Sequence, residues 1–206
     1  ANQLTMGTVN ATTVTGNANV DTIVFDGTTA YTGSYDLKAE ANVINLVDGS
    51  NIGGATVAAV DGTIDLTIAD SADVAMTKAQ HAAFTNINAA TANSNIITIA
   101  AGADVDIVAD ADMNYSIGDD TTGNAVAITG ITGTTSVTAS TAGDDVTFTL
   151  LTGAHTGTLT GQGTDDVISL VDASDITGAT LSAVATVTIA DSADVAMTKA
   201  QHAAFT

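Results

Sequence analysis

Few side chains in this sequence could do chemistry. Aspartates stand in adjacent pairs at Asp119-Asp120, Asp144-Asp145 and Asp165-Asp166, each pair beside glycine or threonine. A short carboxylate on a turn is a hard oxygen ligand for a divalent cation, and the same residues are what a plain tight turn needs. The three histidines, His81, His155 and His202, have no Cys, Glu or second His at ligand spacing, whereas a zinc site needs three or four ligands. They read as packing or surface residues. Neither a G-x-S-x-G elbow nor a Ser, His, Asp order supports a nucleophile. We expect no catalytic residues and no enzyme.

Two of those histidines lie in a verbatim repeat. Residues 67 to 85 read TIADSADVAMTKAQHAAFT, and residues 188 to 206 read the same. A catalytic pocket needs its reactive group once, whereas a structural module gains by repetition. Within the segment, Thr77 followed by Gln80 is a capping box, with the Thr hydroxyl accepting from the amide three residues on and Gln80 reaching back to the cap amide. This predicts a helix of about two turns, held to its support by Phe84, with Met76 facing His81 as a staple. The helix should recur at Thr198, Gln201, His202 and Phe205.

The elements that must carry this segment follow from composition and period. The chain has 206 residues, no Pro, Cys or Trp, four Phe and three Tyr, so its core must be built largely from thin and β-branched side chains. The repeat extends upstream: VINLVDGSNIGGATVAAV at 43 to 60 matches VISLVDASDITGATLSAV at 167 to 184 at an offset of 124, and the verbatim segments match at 121. We therefore divide the chain into a first repeat unit, 1–124, and a partial second unit, 125–206, of a longer array. A finer period runs through Leu4, Ile23, Ile44, Ile64, Phe84, Val105, Val126, Val146, Ile168 and Val187, in steps of 19 to 22 residues. Several anchors open alternating triplets such as Ile23-Val24-Phe25 and Ile168-Ser169-Leu170, the pattern of a strand with one face inside.

A period near twenty is one rung of a β-solenoid. The predicted fold is all-β, a parallel β-solenoid with the capping-box helices on its side. Ten rungs stacked at the interstrand distance would span about 48 Å. The alternative is a row of tandem β-sandwich domains repeating every 124 residues. A solenoid end leaves backbone groups unpaired, so self-association, end to end or lateral, is the partnership the sequence suggests.

Charge excludes other partners. The formal net charge is −20, and only Lys38, Lys78 and Lys199 are basic. Such a chain cannot neutralise phosphates, so no nucleic-acid partner is expected. No apolar run approaches the length of a transmembrane segment.

The stretch GQGTDDV at 161 to 167 resembles the G-x-G-x-D-x-hydrophobic portion of the calcium-binding nonapeptide of RTX proteins. Thr160 stands where that motif has its first glycine, and the preceding turn keeps only Gly143, Asp144 and Asp145. The resemblance implies a Ca²⁺ site between stacked turns, made by Asp144, Asp145, Gly161, Gly163, Asp165 and Asp166. The Thr/Ala/Asp/Gly-rich character of the whole is similar to the repeat regions of giant bacterial secreted surface proteins, RTX-type adhesins and surface-layer proteins. That implies an extracellular location on a bacterium and a role as adhesin stalk, surface layer or filament, compatible with the absence of cysteine. A carbohydrate-binding or processing β-helix is the other reading. It would need clustered aromatics, and Tyr31, Tyr35 and Tyr115 are scattered.

Overall fold

The alternating triplets decide the architecture. In Ile23-Val24-Phe25, Ile44-Asn45-Leu46, Ile64-Asp65-Leu66, Val146-Thr147-Phe148 and Ile168-Ser169-Leu170 the outer two side chains are buried and the middle one is partly exposed. Each triplet can therefore bury one face only. The interior is found by laying the next triplet beside it in register, as the computed structural model shows for residues 2–7, 12–27, 30–59, 61–92, 94–100, 105–111, 113–118, 125–139, 145–162 and 165–205. The result is an all-β parallel solenoid in two units, residues 1–100 and 101–206.

In the first unit each rung gives one strand to each of two sheets. β1 (Asn2–Met6) and β2 (Thr12–Thr15) form one rung, and β3 (Asp21–Phe25) and β4 (Ala30–Asp36) the next. Then come β5 (Glu40–Leu46) with β6 (Asn51–Ala58), and β7 (Gly62–Ile68) with β8 (Asp73–Met76). The helix α1 (Lys78–Ala83) follows, and β9 (Asn86–Ala89) with β10 (Ile96–Ile99) completes the unit. Parallel pairing aligns Leu4, Ile23, Ile44, Leu66 and Ile87 in one inward file, and Met6, Phe25, Leu46, Ile68 and Ala89 in the next.

The second unit repeats the plan. β11 (Val105–Val108) pairs with β13 (Ala125–Ile131), which pairs with β15 (Asp145–Leu150), and β12 (Asn114–Ile117) pairs with β14 (Val137–Ala139) on the other face. Two-residue strands, β16 (Gly153–Ala154) and β19 (Ser174–Asp175), pair as a short third face, β16 lying in the chain between β15 and β17 (Thr158–Thr160) and β19 directly after β18 (Val167–Leu170). β20 (Thr180–Ser182) pairs with β17, β21 (Thr186–Ile189) with β18, and α2 (Lys199–Ala204) follows. The inward file here is Ile107, Ile128, Phe148, Ile168 and Val187. The described strand pairings are all parallel, which is a solenoid and not the antiparallel sheets of a sandwich.

Three of the expected anchors need correction. Ile44 stacks on Leu66 and not on Ile64, and Phe148, not Val146, stacks on Ile168. Both errors are two residues, which the period of a strand hides because i and i+2 face the same way. Phe84 is in no strand; it is the C-cap of α1, and Ile87 takes its place in the file. Nor is the core made of thin side chains alone. Phe25 is buried edge-on to Tyr31 and Tyr35, with ring centroids 4.6 and 5.1 Å apart, and Tyr115 and Phe148 are also enclosed.

Candidate functional site

The corner that carries the calcium-like motif is built around one buried carboxylate. Asp166 is fully enclosed just before β18. Its Oδ1 accepts from the Val146 amide of the preceding rung at 2.9 Å, and its Oδ2 accepts from the Gln162 amide at 2.7 Å. Its carbonyl accepts from the Ala185 and Thr186 amides of the following rung. One residue thus fastens three successive rungs. A buried carboxylate needs such donors, and amide dipoles supply the positive end that a cation otherwise would. Gly161 is required by close approach, since a Cβ there would land on Asp166 Oδ2 and on the Ala183 carbonyl.

Asp145, at the start of β15, and Asp165 are exposed, and Asp144 and Gly163 lie outside the described residues, as does the pair Asp119-Asp120. Among the described residues no three His, Asp or Glu side chains are grouped to hold a metal ion.

The same corner occurs where the repeat alignment does not put it. In the first unit Gly16 and Asp21 have the spacing of Gly161 and Asp166, and the Asn17 amide donates to Asp21 Oδ2 at 3.0 Å. Asn2 Nδ2 donates to Asp21 Oδ1 at 3.1 Å. The residue that aligns with Asp166 is Asn42, whose Oδ1 accepts from the Asp21 amide at 3.0 Å. Gly followed five residues on by Asp was the signal available in the sequence for this corner.

Elsewhere the polar side chains do the same work. Asn95 Oδ1 accepts from the Ala72 amide, Asn114 Oδ1 from Ser136, Asp48 Oδ1 from Asp73, and Asp172 Oδ1 from Asp194. Each bond joins neighbouring rungs. Tyr31 accepts from the Gly27 amide and donates to the Met6 carbonyl, and Tyr115 accepts from Asp110. His155 occupies the position of Tyr31 in the second unit; it is buried and its Nε2 donates to the Leu151 carbonyl at 2.7 Å. All three tyrosines are buried, so they present no stacking surface for a sugar.

The repeated helix is fastened by its glutamine. In α1, Thr77 Oγ1 accepts from the Gln80 amide at 3.2 Å while Gln80 Oε1 accepts from the Thr77 amide at 2.7 Å, the expected capping box. Gln80 Nε2 then donates to the Ile52 and Ala55 carbonyls of the rung beneath, at 2.5 and 2.6 Å. In α2 the box recurs, and Gln201 Nε2 donates to the Ile176 and Ala179 carbonyls at 2.6 and 3.0 Å. The capping box was legible in the sequence, whereas this second use of the amide was not. His81 is buried, and burial lowers its pKa to about 4; His202 is exposed.

No protein family, no curated protein and no solved structure matches the chain. Its function must be read from its own geometry. That geometry is a repeat module in which turns of chain stack on turns of chain, and neither described helix is long and apolar enough to cross a membrane.

Proposed function

We propose that the chain is a structural repeat segment of an extracellular bacterial surface protein, an adhesin stalk, surface layer or filament, and not an enzyme. The observation that carries this reading is how the reactive side chains are used. His155, Asp21, Asp166, Gln80 and the three tyrosines are buried, and their described bonds go to the backbone or side chains of the solenoid. Such an investment stiffens a stack of rungs and commits these side chains to the scaffold. The cysteine-free, strongly acidic composition supports a location outside a bacterial cell, with calcium as a stabilising ion at exposed aspartates such as Asp145 and Asp165. Immunogold labelling of unpermeabilised producing cells, with antibody raised against residues 1–206, tests the reading. Label on the outer surface is expected, and label seen only after permeabilisation contradicts it. A glycan array probed with the same chain should be blank, and a specific hit would favour a carbohydrate-binding solenoid.

A further inference from the structure

The sheet that contains β6 has an open edge in the middle of the first unit. On one side β4 pairs with β6 from Asn51 to Ala58, with one irregularity, but on the other side β8 meets β6 at a single position, Asn51 with Ala75. There the Ala75 amide donates to the Ser50 carbonyl. The following rung does not close the gap, because β10 pairs with β8, and the Ala100 amide then donates to the Met76 carbonyl. Among the described residues no strand pairs with this edge of β6 beyond Asn51. The edge is internal, with β4 before it and β10 after it.

What lies on that edge is α1. Gln80 is buried and donates from Nε2 to the Ile52 and Ala55 carbonyls, groups of the kind that an added strand would bond. Beside this clamp a groove of about 200 Å³ lies between Ala55, Thr56 and Val57 on the strand and Thr77 and Ala79 on the helix side. At this place the glutamine amide, and not close packing, joins helix to strand. The second copy has the same clamp: Asp175 and Ala196 form a single bridge, and Gln201 takes the Ile176 and Ala179 carbonyls.

An open edge is a template for another strand, and proteins commonly blunt it with charge or with proline. This one has neither. Between Asp48 and Asp61 no side chain is charged, in a chain of net charge −20 that contains no proline. Ile52, Thr56 and Val57 are β-branched, which favours strand pairing. A helix laid over the edge is another means of protection. We propose that α1 is an edge guard: it stands where a further strand would pair with β6, and Gln80 holds the carbonyls that such a strand would use. With the guard displaced, the edge is open to a strand from another molecule, which in a pure solution is another copy of this chain. This goes beyond the surface role proposed above and does not depend on it.

The test uses the full 206-residue chain. Gln80→Glu keeps the acceptor that the capping box needs at this position and removes the donor that reaches Ile52 and Ala55. Loss of that bond should let the guard open about tenfold more often. In sedimentation velocity Gln80→Glu should therefore self-associate about tenfold more strongly than the wild-type chain. In dilute solution, exchange of the His81 and Phe84 amides, which bond within the helix and its cap, should quicken by a similar factor. Thr56→Glu places a charge on the exposed part of the edge strand, and added to Gln80→Glu it should restore wild-type behaviour. Association of Gln80→Glu no stronger than that of the wild type, or association that Thr56→Glu leaves unchanged, would overturn the proposal. The second result also covers a Gln80→Glu chain that only misfolds, because its aggregation would not respond to one charge at position 56.

Discussion

The two copies of TIADSADVAMTKAQHAAFT have the same residues and different structures. In the first, Asp73–Met76 are a strand, His81 is buried, and Phe84 is 8% exposed. In the second, Asp194–Met197 are not a strand, His202 is exposed, and Phe205 is only partly covered. What they share points toward the preceding rung. The Ala75 amide donates to Ser50 and the Ala196 amide to Ser174, both at 2.9 Å, and both glutamines clamp two carbonyls. The capping box and the downward clamp are therefore local properties of the segment. Strand formation goes with the rung that comes next, since β10 pairs with β8, and burial of the His and Phe is expected to come from that same rung.

The largest effect expected from this difference is at the phenylalanines. Phe84→Ala should cost about 3–5 kcal/mol in denaturant unfolding, as for a buried ring, and Phe205→Ala should cost clearly less because its ring is partly in water. Equal losses would mean that burial is set within the segment itself.

The histidines sharpen the comparison through pH. Burial holds the His81 pKa near 4, below its ordinary 6.5, so the unfolded chain binds a proton more readily than the folded one. The stability linked to His81 is complete above pH 6.5 and is lost as pH falls from there toward 4, a total of roughly 3 kcal/mol. In melts across that window, His81→Gln should flatten the acid-side decline and His202→Gln should leave it unchanged. Aspartates protonate in the same range, and the difference between the variants separates His81 from them.

Much of this was legible in the sequence, for reasons that individual residues make plain. The period near twenty and the alternation of Ile23-Val24-Phe25 report one buried face per rung, which requires no knowledge of partners. The capping box needs only Thr77 and Gln80. Register was less legible, because Ile64 and Leu66 face the same way and only their neighbours decide which of them stacks on Ile44. Phe84 belongs to the helix insertion, which shifts the next anchor to Ile87. Asp166 reads as a ligand in isolation because the Val146 amide, its donor, lies twenty residues earlier in the chain.

A smaller difference between the copies lies upstream, where Gly49 of the first aligns with Ala173 of the second. Both have positive φ, 75° and 60°, and both amides bond to the following rung, Gly49 to Asp73 and Ala173 to Asp194. A left-handed conformation costs a residue with a Cβ roughly 1–2 kcal/mol. Ala173→Gly should therefore stabilise by about 1 kcal/mol, and Gly49→Ala should destabilise by a similar amount. Calcium should have the smallest effect. Millimolar Ca²⁺ should raise the melting temperature beyond Na⁺ at equal ionic strength, by about 1 kcal/mol for a site with Kd a few-fold below the free ion. Asp145→Asn with Asp165→Asn should blunt that increment, and identical melting in chelator and calcium would dismiss the ion.

The central claim is that the next rung alone makes the second copy like the first. The direct measurement is histidine-specific labelling by diethylpyrocarbonate, read by mass spectrometry, on the chain and on a version with residues 86–100 appended after Thr206. In the original chain His81 should be protected and His202 labelled. In the extended chain His202 should become protected, with Asp194–Met197 acquiring the backbone chemical shifts of a strand. Continued labelling of His202 beneath an appended segment that has itself become β-structured would contradict the account.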